Sequence, residues 1–199
     1  MIRSVCVFCS ASDTIDERYL ALAADTGAAI AGRGWDLVSG GGSVSMMGAL
    51  ARSARARGGR TIGVIPEALL AREVADHDAD ELVVTHDMRQ RKGAMDERSD
   101  AFLALPGGIG TLEELLEAWT ARTLLMHAKP VVVLDPWGDF AGLRDLTAHL
   151  VAAGFLRQDA ATELAWASSV AEALDLIEAS AGLGPVPEDV VVREALEAD

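Results

Sequence analysis

From residue 4 to residue 135 the chain alternates between two kinds of segment, and few folds accept that alternation. Short continuous apolar runs, "SVCVFC" (4–9), "DLVS" (36–39), "TIGVI" (61–65), "ELVVT" (81–85), "AFLAL" (101–105) and "PVVVLD" (130–135), are separated by segments that include alanine-rich stretches of helical spacing. Apolar runs this short, without polar alternation, read as strands buried on both faces. In the helical stretch "ERYLALAADTGAAIAGRG", Tyr19, Leu20, Ala24, Gly27 and Ile30 share one side, and "MMGALARSARARGG" stops at a Gly-Gly C-terminal signal. The alternation predicts right-handed βαβ crossovers and hence an α/β fold: a Rossmann-like, doubly wound parallel sheet with helices on both faces. Ligands of such sheets bind outside the carboxyl ends of the strands. The loops "CSASD", "SGGGS", "IPEAL" and "LPGGIGT" each follow a strand and are expected along that edge.

The 199 residues suit one large domain, expected over 1–181, with more helix from about 139 and a short strand at "ELAWA". Residues 182–199 have the Pro, Gly and acid content of an extended acidic tail. No apolar run approaches the roughly 18 to 20 residues of a membrane span, and the N-terminal run is too short for a secretory signal, so a cytoplasmic protein without a membrane partner is expected. Seventeen basic against thirty-one acidic residues give a formal charge of −14. Such a surface repels polyanions and argues against general nucleic-acid binding, so any basic cluster needs a local explanation. Cys6 and Cys9 form a C-x-x-C, but residues three apart on a strand face opposite ways, which favours buried core cysteines over a redox pair or half a zinc site. His77, His86, His127 and His149 have no ligand-like spacing, so packing or surface histidines are expected, with no metal and no cofactor.

Two glycine loops stand out. "SGGGSVSMMG" (39–48) leaves a strand and opens a helix, so Gly40, Gly41 and Gly42 fit either an anion cradle or a tight ligand-free turn. It carries no Gly-Lys-Ser/Thr, and Ser45 stands where a dinucleotide fingerprint counted from Gly40 needs its third glycine. "LPGGIGTLEE" (105–114) is sharper. Gly107, Gly108 and Gly110 permit close backbone approach, Thr111 adds a hydroxyl, and the new helix supplies free N–H groups for a phosphate. Glu113 occupies the last glycine position of a dinucleotide motif counted from Gly108, which points to a monophosphate. Thr111 and Glu114 also have the spacing of a capping box, so capping and catalysis both stand open for Glu114. In "THDMRQRKGAMDERSDAF" (85–102) the helical part begins with Arg89, Arg91 and Lys92 and ends near Asp96 and Glu97, against the helix dipole. A basic cluster following a strand in so acidic a chain suits an anionic substrate.

Together, "MRQRKGAMDERSDAFLALPGGIGTLEE" (88–114) resembles the paired M-x-x-R-K and P-G-G-x-G-T-x-E-E signatures of the Lonely guy (LOG) family, with further matches from "VCVFCSAS" to "AAGFL", about residues 3 to 180. The resemblance implies hydrolysis of the N-glycosidic bond of a nucleoside 5′-monophosphate, typically an N6-substituted AMP, to free base and ribose 5-phosphate. It implies Arg91 and Glu114 as the catalytic pair, and substrate contacts at Glu73, Lys92, Gly107, Gly108, Ile109, Gly110, Thr111, Leu112, Glu113 and Thr120. It implies a homodimer, a small-molecule nucleotide partner, and no cofactor. Ser10, Ser45 and Ile109 depart from the family's usual residues, which leaves open whether a prenylated adenine or plain AMP is preferred. A general nucleotide nucleosidase and a non-catalytic carrier of the molybdenum-cofactor type are the other readings of the same residues.

Overall fold

The computed structural model describes residues 1–70 and 75–180; Glu73 and the tail expected over 182–199 lie outside the described residues. Seven strands form one parallel sheet: β1 (Ser4–Phe8), β2 (Asp36–Ser39), β3 (Thr61–Pro66), β4 (Glu81–Thr85), β5 (Ala101–Ala104), β6 (Val131–Leu134) and β7 (Leu164–Ala167), in the order β4-β3-β2-β1-β5-β6-β7. Helices α1 (Glu17–Gly32), α2 (Ser45–Ala56), α3 (Met88–Glu97), α4 (Ile109–Thr123), α5 (Ala141–Ala152), α6 (Gln158–Thr162) and α7 (Val170–Ser180) occupy the crossovers and the C-terminal end. A 3₁₀ turn, Glu67–Leu69, follows β3. No helix among the described residues is long and apolar enough to cross a membrane.

The period of two along each strand divides the core in two. Val5, Val7, Leu37, Leu103 and Val132 face one cluster with α1, α2 and α7. Cys6, Phe8, Val38, Phe102 and Val133 face the other, where Met95 of α3 and Leu115 and Trp119 of α4 cover them. Cys6 therefore lies in one layer, while Cys9 borders the other, and both thiols are free. Burial on both faces holds for β1, β2, β3, β5 and β6, but β4 is a correction: it closes one edge of the sheet, and Val84 is largely exposed. The buried stripe of α1 is Leu22, Ala23, Thr26, Gly27 and Ile30, with Tyr19, Leu20 and Ala24 at its margin. Gly27 is the point of closest approach to α2, since a Cβ there would lie 2.1 Å from the Leu50 carbonyl oxygen.

The strand order fixes the position of the crevice. From β1 the chain builds outward through β2 and β3 to β4, then crosses back to place β5 on the other side of β1. The loops leaving β1 and β5 thus diverge at the topological switch point, where open α/β sheets hold their ligands.

Candidate active site

The loop after β5 runs through Pro106 and Gly107 into Gly108, which is the N-cap of α4. Helix formation begins at Ile109, so Thr111 is the third helical residue and Glu114 lies in the second turn. This corrects the capping-box reading, because Glu114 is three residues too far along to serve the N-terminus; glycine is itself an accepted N-cap, and the loop needs no threonine there. The three glycines differ in what they leave open. A Cβ on Gly107 would lie 2.1 Å from the Thr111 hydroxyl oxygen, so the protein itself requires glycine there, while its backbone still borders the space shared with Ser10 and Gly108. Gly108 and Gly110 have nothing within 4 Å of an ideal Cβ, so bare backbone and the first unpaired N–H groups of α4 face free space.

Helix α3 carries the opposing charge. Asp87 caps it by accepting from the Gln90 amide at 2.9 Å. Only Arg91 and Met95, one turn apart, are buried on this otherwise polar helix. A buried guanidinium must find acceptors: Nε donates to the Val64 carbonyl at 3.1 Å, Nη2 to the Gly40 carbonyl at 3.4 Å, and Nη1 lies 3.4 Å from Glu114 Oε1. Arg91 and Glu114, 23 positions apart in sequence, are thereby brought together at the bottom of the crevice, each only about a tenth exposed. Lys92, the next residue, turns outward and holds Glu113 and Glu117 of α4; those two hydrogen bonds raise its pKa above the usual lysine value. Arg89 is exposed.

Two cavities meet at Glu114. The more polar one, about 210 Å³, lies between the β1 loop and α4 and touches Ser10, Gly40, Arg91, Gly108, Gly110 and Glu113. The other, about 190 Å³, lies between α3 and α4 and is mainly apolar, with Phe8, Met95, Phe102, Ala118 and Met126 in its wall. Beyond Gly108 the polar space opens toward Ser12, Tyr19 and Asp139. Cys9 borders the polar cavity, where burial first and the Glu114 charge second push its thiol pKa well up and hold it protonated. His127 borders the apolar cavity, and burial lowers its pKa. No group of three or more metal-ligating side chains occurs among the described residues.

The remaining expected residues separate. Thr111 is buried against Gly107 and reaches the polar cavity; Leu112 packs into the core; Ile109 is almost fully exposed. Thr120 sits exposed further along α4 and lines neither cavity. Gly41 and Gly42 serve the backbone: Gly41 takes φ +76° against β3, and Gly42 bridges to Ala75. Ser45, at a position where the resemblance suggests glycine, adopts φ 50° and donates its hydroxyl to the Ser12 carbonyl at 2.5 Å, tying α2 to the β1 loop. Sequence reasoning did not single out Ser10, Met47 or Met88 as wall residues; the position of "CSASD" after a strand was the available signal for Ser10.

Comparison with known proteins identifies the family. The family model described as "Possible lysine decarboxylase" matches residues 47–177. A cytokinin riboside 5′-monophosphate phosphoribohydrolase of Mycobacterium tuberculosis is 56% identical over 171 residues, covering 86% of this chain and 91% of that protein. One of the same name from Arabidopsis thaliana is 39% identical, covering 88% of this chain and 82% of that protein. Among solved structures, the molybdenum cofactor carrier protein of Chlamydomonas reinhardtii shares the fold with a TM-score of 0.69 at 24% identity, over 92% of this chain and 99% of that one. The extent of these matches makes the chain a member of the Lonely guy (LOG) family, to which the "Possible lysine decarboxylase" model and both phosphoribohydrolases belong.

Proposed function

We propose that the protein is a phosphoribohydrolase that cleaves the N-glycosidic bond of cytokinin riboside 5′-monophosphates, releasing the free base and ribose 5-phosphate. The observation that carries this reading is the Arg91–Glu114 pair, 3.4 Å apart beside the open backbone of Gly108 and Gly110. N-ribosidic cleavage passes through an oxocarbenium-like sugar, which calls for negative charge near the anomeric carbon and an activated water. The 5′-phosphate binds over Gly108, Gly110 and the start of α4, and this non-reacting group fixes the ribose in place. Glu114, in the next turn, faces the ribose and activates water or stabilises the developing cation. Arg91 presents a guanidinium fork of hydrogen-bond donors, and its part is to hold Glu114 and the departing purine.

The apolar cavity beyond Glu114 suits an adenine bearing an apolar N6 substituent better than plain AMP. The exposed side chains Ile109, Leu116, Leu124 and Met126, on and just beyond α4, favour a homodimer that covers this face and brings Thr120 to a subunit contact. Light scattering at assay concentrations is expected to give twice the monomer mass, and a monomer would count against that assembly. The activity is tested by incubating the purified protein, without added metal, with N6-isopentenyl-AMP, AMP and CMP and detecting base by chromatography with mass detection. Fast release of isopentenyladenine and slow release of adenine are expected. Equal rates on all three would indicate a general nucleosidase; nucleotide binding without base release would move the reading to a carrier, the role named for the solved neighbour.

A further inference from the structure

The guanidinium of Arg91 needs room inside the protein, and the loop between β2 and α2 supplies it. An ideal Cβ on Gly40 would lie 2.1 Å from Arg91 Nη2, 3.3 Å from its Cζ and 3.1 Å from Met47 Sδ. Gly40 does not have a positive φ, so its backbone conformation is open to any residue; the neighbouring Gly41, at φ +76°, is the one that the turn requires. We propose that Gly40 is a positioning residue for Arg91, glycine because the guanidinium occupies the volume its side chain would fill. This rests on the reading of Arg91 and Glu114 as the reacting pair.

The geometry leaves the arginine little choice. Nε is fixed to the Val64 carbonyl and Nη2 to the carbonyl of Gly40 itself, so the planar fork directs Nη1 to Glu114. A methyl at position 40 must stand roughly 3.5 Å from the guanidinium, so Nη2 has to retreat by more than about 1 Å. With Nε anchored, that retreat swings Nη1 off the carboxylate. The obstacle is the end of a flexible side chain, so the fold can absorb the methyl while the pair cannot.

Gly40→Ala is therefore expected to lower kcat/KM for N6-isopentenyl-AMP by about tenfold to a hundredfold, the usual cost of a displacement near 1 Å at a reacting centre. Lysine at position 91 ends short of the Nη2 site, so Gly40→Ala combined with Arg91→Lys is expected to be little slower than Arg91→Lys alone. If Gly40→Ala lowers the melting temperature, the same double variant is expected to restore it. Equal losses in both backgrounds, or full activity of Gly40→Ala, would overturn the proposal. A crystal structure of Gly40→Ala gives the readout independent of rate: a guanidinium withdrawn from Glu114 supports positioning, and one still in place overturns it. Full activity of Arg91→Lys would instead count against the catalytic reading of Arg91, while that crystal structure still decides the role of Gly40.

Discussion

Glu114 shows how a single residue's role depends on where its helix begins. Sequence spacing allowed it to be the N3 partner of Thr111, but α4 starts at Ile109, so the carboxylate stands clear of the orphan amides and points at the crevice. Glu114→Gln, which keeps an acceptor for Arg91 but removes its countercharge, is then expected to lower the melting temperature, leave the protein folded and able to bind nucleotide, and lose about 100-fold or more in turnover, the scale of a positioned acid-base group; retained turnover would return the residue to a structural role. His127 makes a second prediction. Its folded pKa lies below the unfolded value of about 6.5 because burial disfavours the imidazolium. The unfolded chain then binds more protons in the window between the two values, so this stabilisation is complete above about pH 6.5 and is lost as pH falls through the lower folded pKa. Urea midpoints from pH 7.5 to 5 should fall less steeply for His127→Gln than for the parent. Parallel profiles would show that the imidazole does not contribute. Neither the Arg91–Glu114 contact nor the burial of Arg91 was legible in local spacing, since helices 23 residues apart meet only through the sheet order; the family resemblance supplied the pair.

Among the elements, the entrance of α4 separates a glycine packed against protein from glycines beside open space. Gly107→Ala pushes a methyl into Thr111, a short and buried side chain that cannot retreat far, and is expected to cost about 1–3 kcal/mol by overpacking. Gly108→Ala meets no protein atom, and φ −89° suits alanine, so its melting temperature should stay near the parent's while monophosphate affinity falls. Thermal melts and calorimetric titration with AMP distinguish the two; matched stability losses would contradict the division. The strands were legible almost residue for residue, as with "DLVS" and "ELVVT", because short apolar runs bounded by small and polar residues have few alternatives. The half-exposed state of β4 was not, since nothing in a run of apolar residues says that its strand lies at an edge. The glycine loop at 39–48 left two readings open for a related reason: three adjacent glycines look alike in sequence, yet one lies against Arg91, one turns the chain and one bridges to Ala75.

Across the whole molecule, the alternation of strand and helix predicted a parallel α/β sheet, and the order β4-β3-β2-β1-β5-β6-β7 places the switch point between the two loops that carry the site. The strongly acidic chain keeps a buried cation, Arg91, at that point, where it meets both a carboxylate and the polar cavity. In the proposed function, the open backbone at the start of α4 and the internal ion pair act together, the phosphate holding the ribose over Glu114. The most direct measurement is the rate of base release from N6-isopentenyl-AMP beside that from the matching riboside, which lacks only the phosphate. Rapid release from the monophosphate and little from the riboside are expected; comparable rates on both would show that the phosphate does not position the ribose.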